Sequence, residues 1–203
     1  MKPILLTAAG NLDNQDRGLI VPLDGRLVVC VADGVGGRSG GTEAANMAVE
    51  LVRQNADRLA NADVCAELLR KIDSEISNDP IAGETTCALA VVTPKDVFGA
   101  SVGDSGVWLI PEEAPHINLT SGQQRKPFIG YGGAWPIPFQ HAIRQGLLLL
   151  ATDGLLKYTS PERIVAICRD RPIDAIAPRL IELVRYSSGS LPDDVTVCVI
   201  QTH

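Results

Sequence analysis

The sequence predicts an α+β fold in which largely antiparallel sheets are covered by pairs of helices. Segments of strand and helix character follow one another as strands, two helices, strands, two helices and a final strand. Strict strand–helix alternation, the mark of a doubly wound parallel sheet, is absent. Several strand segments are also apolar from end to end, as in Leu27-Val28-Val29-Cys30-Val31-Ala32 and Leu147-Leu148-Leu149-Leu150-Ala151, which is how strands buried on both faces read.

The first strand is expected over Ile4 to Ala8, ending at Gly10-Asn11, and Arg26 to Ala32 is expected to pair with it. Gly40-Gly41-Thr42 opens a helix whose apolar positions (Ala44, Ala45, Ala48, Leu51, Val52) recur at helical spacing to about Leu59. A second helix, Val64 to Ser77, gathers Leu68, Leu69, Ile72 and Ile76 on one face and stops at Asp79-Pro80. Strands follow at Thr86 to Val92, Asp96 to Val102 and Gly106 to Ile110, separated by Thr93-Pro94-Lys95 and Gly103-Asp104-Ser105. Residues 111–145 carry five prolines and read as a long irregular surface connection. Gly146 to Thr152 is a strongly apolar strand. Helices are expected over Pro161 to Arg169, with proline at a first helical position, and over Ile173 to Ser187; Val195 to Gln201 is the last strand.

The chain has 203 residues, 45% of them apolar, which suits a single domain over residues 1–203 with a sizeable core. Its net charge of −6 argues against nucleic acid, which is gripped through clustered Lys and Arg. The same balance accommodates a divalent cation held among carboxylates. Five cysteines, an odd number with no CxxC spacing, read as buried thiols in a reducing compartment. The apolar run after Lys2 is too short for a leader or a membrane span. A cytoplasmic location, no membrane partner and a monomeric state are therefore expected.

Four aspartates share one setting. Asp33 ends an apolar strand and precedes Gly34; Asp153 does the same before Gly154; Asp104 follows Ala100-Ser101-Val102-Gly103; Asp193 precedes the last strand. Asp16, in Asn14-Gln15-Asp16, is a fifth candidate near the first strand. Strand ends in one sheet can line one cleft although far apart in sequence. Carboxylates so gathered repel and raise one another's pKa, and a hard cation removes that repulsion. An all-oxygen set suits Mg²⁺ or Mn²⁺. Glycine after Asp33 leaves its own carbonyl open as a ligand and lets the turn approach a phosphate. Two ions bridged by one carboxylate can hold a hydroxide for in-line attack on phosphorus.

In these motifs the sequence resembles the metal-dependent protein phosphatases of type 2C, the PPM family, and in particular its compact bacterial-type members. The ordered segments are Asn14-Gln15-Asp16, Val31 to Gly37, Thr85-Thr86, Val102 to Ile110, Leu147 to Leu155 and Pro192 to Ile200. The resemblance implies a four-layer αββα sandwich with a binuclear metal centre. By position, Asp33 would bridge two ions, the Gly34 carbonyl would bind one, Asp153 and Asp193 would complete the first, and Asp104 matches a ligand of a third. Asp16 would hold water on the metal. The implied reaction is hydrolysis of phosphoserine or phosphothreonine in a protein, opposite a Ser/Thr kinase in signal transduction. Where the family usually has a phosphate-gripping arginine this chain has Asn11, and the nearby cations Arg17 and Arg38 are candidates to take over. Val35 stands where some members have a histidine. The competing expectation is a phosphatase-like module that binds a phosphoprotein or regulates a kinase without turnover.

Two other motifs are discounted. Gly103-Asp104-Ser105-Gly106 resembles the nucleophile segment of a serine protease, but His116 and His141 lie in the irregular region without a matching context. Gly34 to Gly40 resembles a dinucleotide fingerprint, but Ser39 fills the third glycine position and no βαβ unit follows.

Overall fold

The computed structural model describes residues 1–10, 12–35, 40–170 and 172–202. The strands are β1 (Pro3–Ala8), β2 (Asp16–Leu23), β3 (Arg26–Asp33), β4 (Cys87–Val92), β5 (Asp96–Val102), β6 (Gly106–Pro111), β7 (Ile117–Asn118), β8 (Ile137–Ala142), β9 (Gly146–Ala151) and β10 (Val195–Thr202). The helices are α1 (Gly41–Asn55), α2 (Ala62–Ser77), α3 (Asp153–Leu156), α4 (Pro161–Arg169) and α5 (Ile176–Leu183). The strands form two five-stranded sheets, β1-β10-β9-β6-β7 and β2-β3-β4-β5-β8, and every pairing is antiparallel.

Period-two alternation explains why the central strands are apolar on both faces. In β3, Val28, Cys30 and Ala32 pack towards Ala44, Ala48 and Val52 of α1 and Leu69 and Ile72 of α2. The intervening Val29 and Val31 join Leu148 and Leu150 of β9 and Cys198 and Ile200 of β10 in a second layer, between the sheets. The other face of β9 (Leu147, Leu149, Ala151) packs with Ile164, Ile176, Ala177 and Leu180 of α4 and α5. Three apolar layers thus separate four layers of secondary structure in the order αββα. Burying each Leu or Val contributes about 1.5–3 kcal/mol, so the doubly covered strands dominate the stability. Alanines at 44, 45 and 48 give α1 a low face that lets it lie close to the sheet. Helix α2 starts where the Asn61 side chain accepts the Val64 N–H at 3.0 Å.

Several expectations need correction. Arg26–Asp33 does not pair with the first strand. It pairs with β2, and β1 pairs with β10. Strand β2 escapes sequence reading because Gly18 and Pro22 interrupt it, and as an edge strand it tolerates both. The 111–145 connection is not wholly irregular: β8, with Pro138 inside it, forms the far edge of the same sheet, and β7 adds a two-residue edge to the other. The last helix is shorter than expected, with a 3₁₀ turn at Ile173–Ala175 and its α-helical part ending at Leu183. Helix α3, directly after β9, is an addition. All five cysteines are buried free thiols, and among the described residues no helix is long and apolar enough to cross a membrane.

Candidate active site

Strand pairing brings the motif aspartates to one end of the sandwich. In the first sheet β9 lies between β10 and β6, with Ala151 opposite both Val197 and Gly106. The exit of β9 (Asp153), the approach to β10 (Asp193) and the turn before β6 (Asp104) therefore meet. In the second sheet the last residue of β3, Asp33, sits opposite the first residue of β2, Asp16. Asp33, Gly34, Asp104, Asp153, Asp193 and Asp194 border a single cleft of about 340 Å³. Two larger concavities, of about 400 Å³ each, contain none of the motif aspartates.

Threonines and glycines fix the carboxylates. The Asp33 N–H donates to Thr86 Oγ1 at 3.0 Å, and its carbonyl accepts the Thr86 N–H at 2.8 Å and the Thr85 hydroxyl at 2.9 Å. Thr86 Oγ1 lies 2.7 Å from Ser105 Oγ, which ties the β3 exit to the turn carrying Asp104. Asp16 is 1% exposed and accepts the Thr152 hydroxyl at Oδ2 over 2.7 Å. Its other oxygen, Oδ1, is buried with no hydrogen-bond partner among the described residues. Asp194 accepts the N–H groups of Gly10 at 2.8 Å and Gln15 at 2.7 Å, anchoring the connection that delivers Asp16. Gly154 lets α3 start hard against this connection: a Cβ there would stand 1.9 Å from the Asp194 carbonyl oxygen. At Gly34 a Cβ would meet the Gly41 carbonyl oxygen at 2.4 Å.

The crowding has an electrostatic cost. Burial, then the charges of Asp16 and Asp153, push the Asp33 carboxyl far above the usual carboxylate range. Burial also raises Asp153, helped by Asp104 and Asp193 and opposed by Lys157, whose Nζ lies 3.9 Å from Asp153 Oδ2. Asp16 is raised to about 7 by burial, against the bonds from Thr152 and Thr196 that lower it. These groups cannot all ionise side by side without a cation.

The donor set fits a hard divalent ion. It is all oxygen, it gains from added positive charge, and it includes a buried carboxylate oxygen without a partner. Among the described residues no three His, Cys, Asp or Glu side chains form a ready-made cage. The carboxylates and Gly34 border the cleft, and Mg²⁺ commonly keeps several waters rather than a full protein cage.

Of the phosphate-binding candidates, Arg17 is not in the cleft lining. Its Nε donates to Asn46 Oδ1, and one terminal nitrogen donates to the carbonyls of Asn14 at 2.8 Å and Asp16 at 2.7 Å. Asn11 and Arg38 lie outside the described residues. The cleft contains three cations that the motifs do not indicate: Arg125, Lys126 and Lys157. Lys157 lies four residues after Asp153, just past the end of α3, a helix that the sequence did not indicate. Arg125 and Lys126 sit in the proline-rich connection, where sequence spacing says nothing of proximity.

The fold is that of phosphoprotein phosphatases of known structure. A bacterial serine phosphatase superimposes with a TM-score of 0.88 at 20% identity, over 100% of this chain and 98% of that one. The serine/threonine phosphatase Stp1 from Staphylococcus aureus gives 0.86 at 18% identity, over 100% and 95%. The catalytic domain of the serine/threonine phosphatase PstP, in complex with two manganese ions, gives 0.80 at 21% identity, over 98% and 96%. No curated protein matches the sequence. Residues 7–130 match the family model described as protein phosphatase 2C, and the chain belongs to that family.

Proposed function

We propose that the chain is a Mg²⁺- or Mn²⁺-dependent protein serine/threonine phosphatase acting as one catalytic unit over residues 1–203. The observation that carries this reading is the meeting of Asp33, Asp153 and Asp193 in one cleft, where burial and mutual repulsion leave Asp33 in need of a cation. Asp33, Asp153, Asp193 and the Gly34 carbonyl would hold two ions. When bound, such ions activate water and neutralise charge on a phosphate ester. Asp16, which lies opposite Asp33 and behind the cleft lining, would hold water beside the ions through its unpartnered Oδ1, while Thr152 fixes the other oxygen. Thr85 and Thr86 hold the backbone of Asp33, setting the height at which its carboxylate enters the cleft. The leaving group is the serine or threonine hydroxyl of a phosphoprotein, which would pair the chain with a Ser/Thr kinase in cytoplasmic signalling. The family match and the manganese-bound PstP relative support this assignment.

The test is phosphate release from p-nitrophenyl phosphate and from a phosphothreonine peptide, with and without Mn²⁺. Turnover should require the ion, and Asp33→Ala should lower it at least about 100-fold, since even residues supporting a metal ligand are worth about 10–100-fold. Ion-independent turnover, or full activity in Asp33→Ala, would refute the assignment. Mn²⁺ and phosphopeptide binding without turnover would favour a non-catalytic binding module.

A further inference from the structure

A phosphomonoester carries a charge of about −1.5 to −2 at neutral pH. To reach the proposed reaction centre it must enter a cleft bordered by five aspartates. Ions held by Asp33, Asp153 and Asp193 would offset those carboxylates but leave Asp104 and Asp194 on the border, where a positive side chain would favour an entering anion. Lys157 is occupied by Asp153 at 3.9 Å, and Lys126 Nζ lies 5.6 Å from the centre of the Phe128 ring. Arg17 is spent on the scaffold. Arg125 is different. Its Nε donates to Asp104 Oδ2 at 2.7 Å, its side chain is 66% exposed, and Asp104 is 25% exposed. Among the described residues its two terminal nitrogens have no hydrogen-bond partner, so one edge of the guanidinium is anchored and the other is free. The segment is seated as well as charged: Gln123 Nε2 donates to the Ser105 carbonyl at 2.8 Å, so the turn that holds Arg125 also holds the chain two residues before it.

We propose that Arg125 captures the phosphoryl group of the phosphoserine or phosphothreonine substrate, with Asp104 as its positioning residue. This inference rests on the phosphatase reading above. A guanidinium matches two phosphate oxygens with two parallel N–H donors, which a lysine ammonium cannot do. Asp104 takes the Nε–H, limits rotation of the fork and leaves the terminal nitrogens for the ligand. The same bond commits Asp104 Oδ2 to a protein cation, and through it Asp104 anchors Arg125.

The test uses the full chain with Mn²⁺. Arg125→Ala should raise both the KM for a phosphothreonine peptide and the inhibition constant of inorganic phosphate by roughly 10-fold or more, with kcat falling by a smaller factor. Arg125→Lys should recover part of the loss. Asp104→Asn should move the same two constants in the same direction by less. Mn²⁺ titration by calorimetry should give the same number of sites in wild type and Arg125→Ala. Unchanged KM and phosphate inhibition in Arg125→Ala would overturn the proposal. So would an extra Mn²⁺ site in Arg125→Ala that disappears when Asp104 is also replaced, because Arg125 would then be standing in for an ion. If the wild-type chain shows no Mn²⁺-dependent turnover, the phosphatase reading fails by itself. Calorimetric binding of inorganic phosphate to the Mn²⁺-loaded chain then decides this proposal, weaker binding by Arg125→Ala supporting it and equal binding refuting it.

Discussion

The Thr152 hydroxyl donates to Asp16 Oδ2 at 2.7 Å across the gap between the two sheets, joining residues 136 positions apart. It links the exit of β9 to the start of β2, and so fixes the buried Asp16, which lies opposite Asp33 behind the cleft lining. Thr152→Val keeps the shape and deletes the hydroxyl, which removes both the donor to Asp16 Oδ2 and the acceptor of the Thr196 N–H at 2.9 Å. A buried acceptor left unpaired costs about 1–3 kcal/mol, which urea denaturation should register. Thr152→Ser should restore most of it.

Gly154 has no room for a methyl group, because its ideal Cβ position is 1.9 Å from a backbone oxygen. Backbone cannot swing aside as a flexible side chain can. Gly154→Ala should destabilise the chain by at least about 1–3 kcal/mol in thermal melts. Because α3 carries Asp153, Mn²⁺ affinity by calorimetry should fall as well. A variant with unchanged melting and unchanged affinity would show that α3 does not depend on this close approach.

Asp33→Asn separates stability from activity. In the ion-free chain burial, then the charges of Asp16 and Asp153, make the Asp33 carboxylate costly, and a neutral amide avoids the cost of burying that charge or taking up a proton. The ion-free variant should be more stable than wild type by about 0.5–2 kcal/mol, the size often seen when a strained functional group is replaced. It should also lose the rise in melting temperature that Mn²⁺ gives the wild type. Scanning calorimetry with and without the ion measures both effects.

The cysteines make a prediction on pH. Burial raises the Cys65, Cys168 and Cys198 thiols from 9.0 to about 12. Only the thiolate reacts with disulfide reagents, so the native chain should stay silent to a chromogenic aromatic disulfide at pH 8 and react fully in denaturant. The folded state keeps these protons above pH 9 while the unfolded chain releases them. Their contribution to stability is complete below pH 9 and is lost as pH rises from 9 towards 12, by up to about 1.4 kcal/mol per pH unit for each thiol. Urea midpoints that rise over that window would contradict the burial of these groups.

The doubly covered strands were legible because nothing else explains runs such as Leu147 to Ala151, and their ends located the aspartates that share the cleft. The edge strands β2 and β8 were not. β2 and β8 are only partly buried and contain Pro22 and Pro138, so their alternation is weak and their residues read as connection. That obscured the partner of β3 and with it the direct opposition of Asp16 and Asp33. Arg125 was out of reach for a different reason: its approach to Asp104 depends on the path of a loop, which no local pattern encodes.

Proline also decides how this molecule can meet another polypeptide. Pro22 lies in β2, Pro138 in β8 and Pro3 at the start of β1, while β7, the fourth edge, is two residues long. Each proline removes an amide from its edge and shortens the row along which a visiting chain could add as a strand, which is the usual way of reading a peptide by its main chain. On the proposed phosphatase function, a phosphoprotein would be recognised chiefly through its modified side chain and the charges near it. Methylating the backbone nitrogens on either side of the phosphothreonine should therefore leave peptide turnover almost unchanged, and tolerance for many client sequences follows from the blunted edges.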